Sequence, residues 1–130
     1  MSVEYGGLTF ERLGHASIRI ETADGLENLD EILAVPGVDA VYIGPNDLGL
    51  SLGLGRATYL TSKEMRRHIE TVLSKCRNAG VVAGIHCSSP EMTREWADAG
   101  FQLLTGATDL ELLQSAGRSV LGEIGRKDSQ

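Results

Sequence analysis

Glu21 and Asp47 are the residues whose type and placement could do chemistry. Glu21 follows Ser17-Ile18-Arg19-Ile20, a segment that reads as a β-strand. Asp47 follows the apolar run Val38-Asp39-Ala40-Val41-Tyr42-Ile43 and the turn Gly44-Pro45-Asn46. A segment of helical period separates the two strands. Successive strands of a parallel α/β sheet point the same way, so both acids fall at the carboxyl ends, the rim where such sheets and barrels place their chemistry. Two carboxylates there suit a hard divalent cation with positions left open for a substrate. A single acid at a strand end is more often a helix cap or a loop charge. Two on neighbouring strand ends, beside a Gly-Pro turn, bring the metal reading level with that one.

The elements that must position these acids follow from periodicity. The strand Ser17–Glu21 leads to a helix over about Gly25–Ala34, with Leu26, Leu29, Ile32 and Leu33 at helical spacing and Asp24 as its N-cap. Pro36-Gly37 ends it. The strand Val38–Ile43 is nearly all apolar, as expected where both faces are covered. Leu48-Gly49-Leu50-Ser51-Leu52-Gly53-Leu54-Gly55 reads as an apolar rim loop; it lacks the Lys and Ser/Thr that close a phosphate-binding loop. A long helix is expected over Ser62–Ala79, with a Thr61/Glu64 capping box and the stripe Met65, Ile69, Val72, Leu73, Cys76. Gly80 is its stop. The strand Val81–Cys87 follows, then a helix capped by Ser89 with Pro90 at its first position. The strand Phe101–Thr105 and a helix over Asp109–Leu121 complete four strand–helix units, which argue for a parallel sheet. Residues 17–125 thus form one α/β unit. Residues 1–16 show no clear period and are interrupted by Gly6, Gly7 and Gly14, and residues 126–130 form a polar tail.

The rim also collects His86, Cys87, Ser88, Thr105, Gly106 and Thr108. No second histidine stands at metal-ligand spacing from His86, so it reads as a rim residue touching substrate or water. Cys76 and Cys87 do not form a C-x-x-C motif and read as buried reduced thiols. His68 falls on the polar side of the long helix, His15 lies in the lead segment, and Trp96 and Tyr42 read as packing residues.

The chain has 130 residues and a formal net charge of −6, with twelve Lys and Arg scattered along it. That excludes the clustered basic surface a nucleic-acid partner needs. No apolar run approaches the roughly 20 residues of a membrane span. The first residues carry no signal-peptide pattern, so the expected location is cytoplasmic.

Several segments together resemble the HpcH/HpaI aldolase family, the class II pyruvate aldolases related to citrate lyase β subunits. They are Ile20-Glu21-Thr22, Leu26-Glu27-Asn28-Leu29-Asp30-Glu31-Ile32-Leu33, Pro36-Gly37-Val38-Asp39 and Tyr42-Ile43-Gly44-Pro45-Asn46-Asp47-Leu48. Ala83-Gly84-Ile85-His86-Cys87, Ala99-Gly100-Phe101 and Thr105-Gly106 continue the resemblance over about residues 17–122. It implies the second half, strands five to eight, of a (β/α)8 barrel. It also implies Glu21 and Asp47 as ligands of Mg²⁺, Mn²⁺ or Co²⁺, and backbone groups of Gly44, Pro45, Asn46 and Asp47 as the seat of the pyruvate carboxylate. It implies Arg19, where the sugar-acid aldolases commonly have Gln, and His86, where an apolar residue often faces the substrate methyl group, as further substrate-binding residues. The family's substrate-binding arginine and histidine base belong to the first half of the barrel.

The implied activity is metal-dependent cleavage of a 4-hydroxy-2-keto acid to pyruvate and an aldehyde, with His86 the one candidate for the base. The alternatives are a non-catalytic half-barrel that needs a partner and, less well matched, a CoA-ester lyase of the citrate lyase β type. Four strands cannot close an eight-stranded barrel, so self-association or pairing with an N-terminal half-barrel is expected.

Overall fold

The computed structural model of the chain describes residues 16–56 and 61–125, together with the backbone of residues 2–5 and 8–11. His15, the glycines at 6, 7 and 14, and the tail 126–130 lie outside the described residues. Two antiparallel strands, β1 (Ser2–Tyr5) and β2 (Leu8–Glu11), form a ribbon where the sequence shows no clear period.

The α/β unit is one parallel sheet in chain order: β3 (Ser17–Ile20), β4 (Ala40–Ile43), β5 (Val82–His86) and β6 (Leu103–Thr105). Between β3 and β4 lie two short helices, α1 (Ala23–Glu27) and α2 (Leu29–Leu33), rather than the single expected helix. The break falls at Asn28, whose side-chain amide donates to the Asp24 carbonyl. Thr22 rather than Asp24 caps α1, its hydroxyl accepting from the Gly25 N–H at 3.0 Å. The expected rim loop after β4 is largely a helix, α3 (Pro45–Ser51), which turns out over residues 52–55. Pro45 is preset for a first helical position, and buried Leu48 anchors the turn that follows.

Helix α4 (Lys63–Ala79) buries Met65, Ile69, Val72, Leu73 and Cys76, the predicted stripe. Ser62, one residue after the expected cap, accepts from the Met65 N–H, and Gly80 ends the helix in the left-handed region at φ 68°. Helix α5 (Pro90–Ala99) is capped by Ser89. Helix α6 (Asp109–Glu123) opens on a Thr108/Glu111 capping box. The Thr108 N–H and hydroxyl hold the Glu111 carboxyl below its ordinary range.

Strand side chains alternate between faces. Ile18, Ile20, Val41, Ile43, Ala83, Ile85 and Leu104 point to one face and join the core with residues of α2 to α5. By register, the opposite face carries the row Arg19, Tyr42, Gly84, Leu103. Above it lie Glu21 and Gly44, which follow β3 and β4, and the pair His86 and Thr105. No described helix covers this second face fully: Leu103 is 43% exposed. Among the described residues no strand pairs with the outer edges of β3 or β6. No residue of α6 is buried, and its Leu110, Leu112, Leu113 and Val120 face solvent.

Candidate active site

Glu21 and Asp47 lie at the same end of the sheet. Glu21 is the first residue past β3, and Asp47 sits in the first turn of α3, directly after β4. The Gly44 N–H bonds the Ile20 carbonyl at 3.2 Å, so the ladder between β3 and β4 continues up to the turn. Gly44 lets the Glu21 side chain lie close: a Cβ on it would stand 2.6 Å from Glu21 Oε1 and 2.9 Å from Glu21 Cγ, and the carboxylate would have to move. The carboxylate therefore rests on bare backbone. Its Oε1 atom is shielded from solvent and has no hydrogen-bond partner. The Arg19 guanidinium makes an ion-pair contact with the same atom, close but not aligned as a hydrogen bond.

A cleft of about 220 Å³ opens on the uncovered sheet face beside this pair, lined by Arg19, Tyr42, Gly44, Pro45, Asn46, Asp47 and His86. A larger depression of about 450 Å³ lies between α2 and α4, where Lys75 bridges to Asp30; it is remote from the rim and gathers no reactive groups.

The structure thus brings together six of the residues singled out in the sequence, Arg19, Gly44, Pro45, Asn46, Asp47 and His86, in one cleft, with Glu21 packed against its Gly44 wall. Tyr42 is a residue that sequence reading assigned to packing alone. Its ring lies over Gly84, where a Cβ would come within 2.6 Å of Tyr42 Cδ2, and its phenol hydrogen-bonds the Thr105 hydroxyl. The signal was a glycine in the middle of β5, which often marks close approach by another group. Cys87 points away from chemistry: it is fully buried, and burial pushes its thiol pKa up, which suppresses the reactive thiolate.

Hard anionic oxygens, one of them buried without a hydrogen bond, fit a divalent cation such as Mg²⁺ or Mn²⁺. Among the described residues no three His, Cys, Asp or Glu side chains group as a metal cage. The chain's own share would be two carboxylates, with water and substrate completing the coordination.

The sequence profile of the family described as HpcH/HpaI aldolase/citrate lyase matches residues 15–116. The chain is 39% identical over 104 residues to a hydroxypyruvate/pyruvate aldolase of Rhizorhabdus wittichii, covering 80% of this chain and 41% of that protein. It is 36% identical over 99 residues to a 2-keto-3-deoxy-L-rhamnonate aldolase of Escherichia coli, covering 76% of this chain and 36% of that one. The fold matches the crystal structure of an HpcH/HpaI aldolase/citrate lyase family protein from Burkholderia cenocepacia with a TM-score of 0.79 and 30% identity, over 86% of this chain and 43% of that one. The chain therefore spans about 40% of the length of the curated relatives it matches. With its parallel rim, its Gly-Pro turn under Glu21 and a profile match over most of its length, the chain belongs to the HpcH/HpaI aldolase/citrate lyase family.

Proposed function

We propose that this chain supplies the cation- and pyruvate-binding half of a metal-dependent pyruvate aldolase. The observation that carries the reading is Glu21, packed against Gly44 with a solvent-shielded oxygen that meets only the Arg19 guanidinium among the described residues, beside a cleft that Asp47 lines. Glu21 and Asp47 hold Mg²⁺, Mn²⁺ or Co²⁺, and the turn Gly44-Pro45-Asn46-Asp47 seats the substrate carboxylate. The cation, when bound, stabilises negative charge gathering on the keto oxygen. In the cleavage direction a base takes the proton of the C4 hydroxyl and the C3–C4 bond breaks. An aldehyde leaves, and the electron pair left at C3 is protonated to give pyruvate. His86 is the base candidate that this chain itself offers in the cleft. The buried, unpaired Cys76 and Cys87 fit a reducing, cytoplasmic setting.

A second reading, a half-barrel that acts only with a partner, is favoured by the outer edges of β3 and β6, unpaired among the described residues, and the apolar residues exposed on α6. The partner is either another copy or an N-terminal half-barrel. The similarity to proteins named as aldolases favours aldol cleavage over the citrate lyase β-type reaction. One experiment separates the two readings. Pyruvate release from a panel of 4-hydroxy-2-keto acids is followed with a lactate-dehydrogenase couple, with and without Mn²⁺, while light scattering gives the size of the species. The expected result is a self-associating chain with activity that is absent or far below that of a complete barrel, since positioning and proton transfer can each supply factors of about a hundred or more. A well-behaved monomer with robust Mn²⁺-dependent release would refute the need for a partner. Robust release without any divalent cation would refute the metal-dependent reading.

A further inference from the structure

We infer that Arg19 is a built-in competitor for the cation: its guanidinium neutralises Glu21 until a divalent ion displaces it. The inference rests on the reading of Glu21 and Asp47 as cation ligands. Arg19 and Glu21 are two residues apart at the end of β3, so their side chains rise from the same face. The guanidinium contacts Glu21 Oε1, the oxygen that has no hydrogen bond of its own. The two side chains differ in freedom. Arg19 is 66% exposed and can swing into solvent, whereas Glu21 is 28% exposed and rests on Gly44.

A cation that takes Oε1 from the cleft side competes with the guanidinium resting on that atom. Mg²⁺ sits about 2.0–2.1 Å from a carboxylate oxygen, well inside the guanidinium's own contact distance. The two positive charges would also repel across the cleft they share. Cation binding through Oε1 therefore breaks the Arg19–Glu21 pair. Mutual exclusion of this kind lowers the apparent affinity of the site by the stability of the resting pair. For a partly exposed pair that stability corresponds to a factor of about two to five. Relief of repulsion adds to it when the positive charge is removed. Once displaced, Arg19 stands on the lining of the same cleft as Asp47 and His86.

The test is the Mn²⁺ affinity of the full chain, read from the free-Mn²⁺ electron paramagnetic resonance signal, for the parent, Arg19→Gln and the control Arg94→Gln. Arg94 is an exposed cation on α5. The expected result is Mn²⁺ binding about three- to tenfold tighter in Arg19→Gln, with Arg94→Gln unchanged. Equal or weaker binding in Arg19→Gln overturns the inference, and weaker binding would make Arg19 a support for Glu21. A matching gain in Arg94→Gln would assign the effect to net charge and also overturn it. Saturable binding in the parent with no gain in Arg19→Gln leaves the cation site standing without the competitor. No saturable binding in any of the three proteins removes the cation site and the competitor together.

Discussion

Asp47→Asn is expected to weaken Mn²⁺ binding at least about tenfold, roughly 1.4 kcal/mol. The chain offers a cation few anionic ligands: Glu21, packed on Gly44, and Asp47, which lines the cleft from the first turn of α3. Asparagine keeps the size and one oxygen of the side chain but removes the charge on which affinity for a hard cation mainly depends. The bland alternative is that Asp47 serves α3 alone. It sits in the first turn of that helix, where a carboxylate contributes about 0.3–1 kcal/mol through the helix dipole. The two roles separate cleanly by titration calorimetry and denaturant unfolding of the same variant. A small loss of stability with unchanged Mn²⁺ affinity would make Asp47 a helix residue and nothing more.

Trp96→Ala is expected to cost about 3–5 kcal/mol of stability, a large part of the total of a domain this size. Trp96 is 2% exposed on the inner side of α5. Its ring meets Phe101 edge-on, with centroids 5.5 Å apart at 80°. The Arg66 guanidinium lies 4.9 Å from the ring centroid and is held there by Glu95 at 2.5 Å and Glu70 at 2.9 Å. The substitution therefore opens a cavity and strips an aromatic pair and a cation–π contact from the seam between α4 and α5. Urea unfolding measures it. A loss below about 1 kcal/mol would mean that α5 contributes little to the core.

How far the sequence reveals this depends on whether a feature is local or relational. The α4 stripe is legible because five residues at helical spacing must share a face, and those five are buried. Ser89, Pro90 and Gly100 mark α5 because cap chemistry is confined to a few neighbouring residues. The break at Asn28 is less visible, since the apolar spacing runs straight through it. Helix α3 is hidden by its glycines: Gly49 lies inside the helix, and only Gly53 and Gly55, at φ 73° and 89°, end it. The Thr108/Glu111 box could have been found from its spacing alone.

At the site, the shared rim of Glu21 and Asp47 follows from strand polarity. The roles of Arg19, Tyr42 and Gly84 do not, because they depend on which residues stand opposite one another across strands. Register aligns Arg19, Tyr42 and Gly84 in one row, and no one-dimensional pattern contains that row. The sequence marks Asp109–Leu121 as a helix without saying what it packs on; only the packed structure reveals that no described element covers its apolar residues.

Calorimetric titration of oxalate into the chain, with and without Mn²⁺, tests most directly whether Glu21 and Asp47 hold a cation beside a carboxylate seat. Oxalate is planar and presents adjacent oxygens as the enolate of pyruvate does, so it tests the cation and the carboxylate seat at Gly44–Asp47 together and needs neither a base nor a partner half. Saturable oxalate binding is expected with Mn²⁺ present, none without it, and none in the Glu21→Gln/Asp47→Asn double variant. Oxalate binding that ignores Mn²⁺, or that survives loss of both carboxylates, would contradict that arrangement.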